Sequence, residues 1–86
     1  MPVLSKFYGI IIRMAFTEAF GAHFHATYGD DEIVVGLNPL RIIQGDAPVR
    51  VRDLVLEWAH AHYLDLLNAW SRCATSQPAE PIAPLR

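Results

Sequence analysis

Apolar residues recur along the chain at two different periods. From Phe7 to Phe16 the spacing is two: Tyr8, Ile10, Ile12, Met14 and Phe16 fall on one side, Arg13 and Ala15 on the other, which predicts a strand. A second predicted strand, Ala22 to Tyr28, is followed by Gly29-Asp30 and then by a third, Glu32 to Leu37. Glycine at the first central position suits a two-residue type II′ hairpin, because that position takes positive φ. The register then sets Tyr28 opposite Asp31, Ala26 opposite Ile33 and Phe24 opposite Val35. Phe24, Ala26, Tyr28, Ile33, Val35 and Leu37 share one apolar face, while His23, His25, Thr27, Glu32 and Val34 share the other. Asn38-Pro39 predicts a turn, and Leu40 to Gln44 a short fourth strand that stops at Gly45.

Beyond Asp46 the pattern becomes helical. Asp46 is a candidate N-cap, and Pro48 falls in the first turn, where its missing N–H costs nothing. On a helical wheel Leu54, Val51, Trp58, His62, Val55, Cys73 and Leu66 form one stripe, continued by Ala59, Trp70, Tyr63, Leu56 and Leu67. The polar face is only Asp53, Glu57, His60, Asn68 and Ser71, interrupted by Leu64. This arc is about twice the ~100° stripe of an ordinary surface helix. One sheet cannot cover both flanks, so either the helix breaks near His62 and folds back as a pair, or a second copy of the chain covers the outer flank. Leu56, Tyr63, Leu67 and Trp70 lie there and are the candidate interface residues. Thr75 to Arg86 carries Pro78, Pro81 and Pro84 and ends the helix. It reads either as a disordered end or as an extended segment docked through Ile82 and Leu85. The expected organisation is a single α+β domain over 1–74 and a proline-rich tail over 75–86. The domain is a mostly antiparallel sheet of three or four strands, packed by one long C-terminal helix or a helix pair.

Composition narrows the function classes. With 86 residues, 52% of them apolar, the chain folds around one modest core and has no second lobe for a dinucleotide or a large substrate. Seven basic against nine acidic residues leave no basic field for a nucleic acid. The single cysteine, Cys73, excludes an internal disulfide and an all-cysteine zinc site, and suits a reducing compartment. The run Ile10-Ile11-Ile12 is closed at once by Arg13, which is unlike an export signal, and no apolar run approaches the roughly 20 residues that cross a bilayer. A cytoplasmic protein is expected.

His23-Phe24-His25 is the most suggestive group, because residues i and i+2 of a strand point to the same side. Zinc needs three or four ligands, and the anionic side chains in reach are Glu32, diagonal to His25, and less directly Glu18. His23, His25 and Glu32 are therefore the candidate metal set, weighed against two half-exposed histidines on a solvated sheet face. His60 and His62 have the same spacing on a helix, about 200° apart, and cannot share an ion. His62 is expected to pair with Asp65, His60 to face solvent, and Cys73 to pack as a small hydrophobe. Asp30, Asp31 and Glu32 lack the spacing of a calcium loop, and the glycines form no phosphate cradle. Arg50 and Arg52 near the helix start offer only a weak anion site.

Phe7-Tyr8-Gly9-Ile10-Ile11-Ile12-Arg13-Met14, then His23-Phe24-His25-Ala26 ending in Tyr28-Gly29, then Leu56-Glu57-Trp58-Ala59 followed by His62 and Trp70, together resemble a small bacterial family, the domain of unknown function 4160. The resemblance covers nearly the whole chain. It implies a two-gene setting beside another small protein, of a regulatory or toxin–antitoxin kind. Members of that family usually carry an acid-His-x-Pro-Pro stretch before the His-x-His. Here it reads Glu18-Ala19-Phe20-Gly21-Ala22, so a third histidine and both prolines are missing. The expectation is a non-enzymatic interaction or regulatory module without a cofactor, acting as a homodimer or with a neighbouring small protein. The competing class is a metal-binding or hydrolytic enzyme built on His23 and His25 with Glu32.

Overall fold

In the computed structural model, which describes residues 3–86, five strands form one antiparallel sheet in the order β1-β2-β3-β4-β5. Strands β1 (Val3–Phe7) and β2 (Ile10–Arg13) are the first departure from the sequence pattern, because a tight turn at Tyr8-Gly9 splits the strand expected over Phe7 to Phe16. Both turn residues have positive φ, 51° and 80°, as a type I′ hairpin requires. Glycine adopts that conformation freely, and Tyr8 follows it with its ring in solvent. The turn also changes the parity of the pattern. Phe7 pairs with Ile10 and joins Ile10, Ile12 and Met14 in the core, whereas Tyr8 and Phe16 are exposed. The sheet therefore has five strands rather than three or four.

β3 (His23–Tyr28) and β4 (Asp31–Leu37) pair in the expected register, Phe24 with Val35, Ala26 with Ile33 and Tyr28 with Asp31. Gly29 turns the chain at φ 58°. β5 (Leu40–Asp46) follows a cis Asn38–Pro39 bond and runs two residues past its expected end. Gly45 does not terminate it: at φ 84° it pairs with Ile33 inside the strand, so close that a Cβ there would collide with the Glu32 carbonyl. Asp46 consequently ends the strand instead of capping the helix. Its Oδ1 accepts the N–H of Ala47 at 2.9 Å and lies 3.8 Å from the Arg52 Nε. The N-cap is Pro48, whose ring holds φ at −52° while its ψ of 146° keeps it outside the helix.

The helical run is α1 (Val49–Ala61) followed by α2 (Tyr63–Ala74), with the break at His62. The His62 N–H bonds the Trp58 carbonyl and the Leu66 N–H bonds the His62 carbonyl, both at 3.0 Å, so the run bends there and does not fold back. Its wide apolar arc is shared among several surfaces. Val51, Val55, Trp58, Ala59, Leu66 and Ala69 are buried in one core with the inner sheet face, the tail covers a further part, and Leu64 and Leu67 stay exposed. Ile82 is buried, its N–H bonds the Leu4 carbonyl of β1 at 2.7 Å, and the Trp58 indole donates to the Ala83 carbonyl at 2.8 Å.

Trp58 is fully buried, with Phe7, Phe24 and His62 at ring-centroid distances of 5.3, 5.8 and 5.7 Å. Replacing it by alanine removes packing against sheet and tail together, and is expected to cost about 3–5 kcal/mol. Denaturant unfolding checks this; a midpoint close to the parent's would show that the indole is not the centre of the core.

Candidate functional site

The second face of the sheet carries the candidate histidines. His23 and His25 project to the same side of β3, their ring centroids 5.2 Å apart at an interplanar angle of 73°. Only His25 sits as a half-exposed residue. His23 is fully buried, because the loop between β2 and β3 brings Phe20 against it and α2 brings Trp70 against it, each at a centroid distance of 5.2 Å. Val34 on the same face is buried as well. The face expected to be solvated is therefore partly a second, smaller packing layer.

The His23 Nδ1 donates to the Gly21 carbonyl at 2.8 Å, and its Nε2 is buried without a partner. His25 places Nδ1 3.5 Å from the Glu32 Oε2, across the diagonal expected from the hairpin register. The structure thus sets His25 next to His23 on one side and Glu32 on the other, while Glu18 remains exposed in the loop. What it does not assemble is a closed ligand set. Among the described residues no three His, Cys, Asp or Glu side chains converge on one point. A zinc ligand must also present its lone pair to an ion with room for further ligands, whereas the His23 imidazole is walled in by aromatic rings. Its chemistry is that of a pin: one hydrogen bond and two aromatic contacts hold the loop onto the sheet.

Around that pin lies an apolar flank. Trp70 is half-buried between His23 and Phe16, with the Phe16 ring at 5.3 Å. Phe16 and Phe20 remain 47% and 39% exposed, and Leu67 and Leu64 of α2 36% and 79%. Of the other candidate interface residues, Leu56 is half-buried, and Tyr63 is tied down by its hydroxyl donating to the Leu37 carbonyl at 2.6 Å. Phe16 and Phe20 escaped the sequence reading because Phe16 continued a strand alternation. The available signal was their spacing of four in a stretch with no strand or helix period. Two shallow clefts, one under the tail and one lined by Phe20, Pro39, Arg41 and Ile43, measure about 100 and 160 Å³, against roughly 300–1,000 Å³ for small-molecule sites. His62 pairs with Asp65 at 3.5 Å, and His60 is exposed. The Arg52 Nε donates to the Ala47 carbonyl at 3.1 Å and lies 3.8 Å from the Asp46 Oδ1.

Residues 9–71 match the model of a family described as a domain of unknown function, DUF4160. The chain belongs to that family. No curated protein and no solved structure matches it. The DUF4160 match runs from Gly9 into α2, and so includes both histidines, Trp58, Phe16, Phe20 and Trp70. It leaves out β1 and the tail, the two segments that bond each other through Leu4 and Ile82. Ala19 is exposed in the loop.

Titration calorimetry with zinc at neutral pH is expected to find no one-to-one submicromolar site, since two imidazoles and one exposed carboxylate make an incomplete set. Such a site, abolished by the His23→Ala, His25→Ala double substitution, would reassign this face to metal chemistry. Partial burial also pushes the Cys73 thiol above its ordinary value, so the thiolate fraction is lower than in free cysteine. Slower reaction with an aromatic disulfide reagent at about pH 8 is the expected readout, and a rate equal to that of free cysteine would count against this packing.

Proposed function

We propose that this domain is a non-enzymatic protein-interaction module that docks a second copy of itself, or a neighbouring small protein, through the flank formed by Phe16, Phe20, Leu67 and Trp70. The observation that carries the reading is the partly exposed aromatic group in which Phe16 packs on Trp70 while Phe20 and Trp70 both pack on His23, with the exposed Leu67 three residues before Trp70 on α2. Scattered exposed apolar residues need no explanation, but a contiguous aromatic group is what buried interface centres are made of. Leu56 and Tyr63 support this flank from within. A regulatory, toxin–antitoxin-like role in a reducing cytoplasm is the setting that the family resemblance and the single cysteine favour. Among the described residues no helix is long and apolar enough to cross a membrane.

A metal-binding or hydrolytic enzyme on His23, His25 and Glu32 has one observation in its favour, the unpartnered His23 Nε2. Against it stand the burial of that atom, the lack among the described residues of three ligand side chains converging on one point, and the small clefts.

Sedimentation equilibrium tests the first reading. The wild-type chain is expected to self-associate or to bind the product of a neighbouring small gene, and Leu67→Glu to weaken that association by about tenfold or more while melting close to the parent, since a charge placed at an interface centre must be desolvated. Association unchanged in Leu67→Glu would remove the flank from the interface.

A further inference from the structure

The C-terminal segment is seated as a ligand is seated. Burial along it recurs every third residue: Ala79, Ile82 and Leu85 pack against the core, whereas Pro78, Pro81 and Pro84 are exposed. Three residues per turn is the period of polyproline II, and prolines at this spacing pre-set the extended backbone. The receiving groove reads that backbone through two hydrogen bonds, the Leu4 carbonyl accepting from the Ile82 N–H at 2.7 Å and the Trp58 indole donating to the Ala83 carbonyl at 2.8 Å. An indole N–H bonding a carbonyl beside a proline, over an aromatic floor that here includes Phe7, is the way proline-rich segments are recognised between separate chains.

The segment is also weakly closed. One side-chain ion pair, Arg72 with Glu80 at 3.5 Å, ties it to α2, and its carboxylate is largely exposed. Beneath it an open cleft of about 100 Å³, lined by Asp65, Asn68, Ala69 and the tail itself, separates it from the helix. The reversal that returns the tail to β1 starts at the cap of α2: Ser76, at φ 61°, bonds the Cys73 carbonyl through its N–H at 3.2 Å, and the Gln77 N–H bonds the Arg72 carbonyl at 2.8 Å. The hinge for an exchange therefore lies beyond Gln77, where the tail can leave the groove without unmaking this cap.

We propose that the groove between β1 and Trp58 is a docking site for this proline-spaced segment, and that two copies of the chain exchange their tails through it. The occupant is a second copy because its tail carries the Ile82-Ala83-Pro84-Leu85 pattern that the groove already holds. Exchange then forms no new kind of contact. This interface is separate from the flank around Trp70, and its success or failure is read independently.

The test uses the full wild-type chain, refolded from guanidinium at about 10 μM and at about 1 mM and then sized by sedimentation at one common dilution, since exchange is driven by concentration and persists once formed. The expected result is a dimer enriched about tenfold or more by the concentrated refolding, and suppressed to a similar degree by excess peptide of residues 77–86 added during refolding. A peptide of the same composition with its prolines displaced is expected to leave the dimer intact. Leu67→Glu, which perturbs the flank, is expected to keep the peptide-sensitive dimer. Ile82→Asp should abolish it and leave a chain whose Trp58 indole N–H resonance returns to its wild-type position when the tail peptide is added. A chain that stays monomeric after concentrated refolding, or a dimer indifferent to the tail peptide, overturns the proposal. Should Ile82→Asp fail to fold, the wild-type result with the two peptides decides alone.

Discussion

The indole of Trp58 is the point at which three parts of the chain meet: the inner sheet face through Phe7 and Phe24, the bend between the helices through His62, and the tail through the Ala83 carbonyl. A small domain has few such points, because little of its surface is far from water. The indole supplies a large apolar area together with one N–H that must find a partner when buried. That requirement draws the tail inward, since the Ala83 carbonyl supplies the acceptor. The break at His62 follows from the same geometry. The helix must lay α1 against the sheet and still carry Trp70 to the end of β3, which one straight rod does not do.

How much of this was legible in the sequence depended on whether two independent signals agreed. In the β3–β4 hairpin they did. Gly29 prescribed a positive φ, the alternation of Phe24, Ala26, Ile33 and Val35 prescribed a face, and both gave one register. At Tyr8-Gly9 they conflicted, because the apolar alternation ran straight through a turn whose first residue is not a usual left-handed one. A two-residue turn exchanges odd and even positions, so Phe7 joined the core and Tyr8 left it. At Gly45 and Asp46 the local signals point away from the fold, since a glycine with positive φ can sit inside a bulged strand and Pro48 can start a helix unaided.

The candidate site shows a different limit. Strand parity placed His23 and His25 on one side and put Glu32 in reach, which local sequence can do. The burial of His23 came from residues far along the chain, Trp70 above all, and from a loop without periodicity. Parity assigns a face; it does not say what covers it. The same holds for the tail, where Ala79, Ile82 and Leu85 repeat at three between prolines, but the partner that gives the repeat meaning is Leu4 at the other end of the described chain.

The bond between Leu4 and Ile82 links residues almost as far apart in sequence as the fold contains. Contacts of such separation carry the largest loop-closure entropy and form late, after local pairings have reduced the effective distance. During synthesis the outer edge of β1 therefore has no partner until residue 82 has emerged, although the β1–β2 hairpin itself is complete after residue 13. An unpaired strand edge held open for that interval is where a nascent chain is most prone to pair with a neighbour. The docked tail thus acts as a closing stitch, made last, on one edge of the sheet.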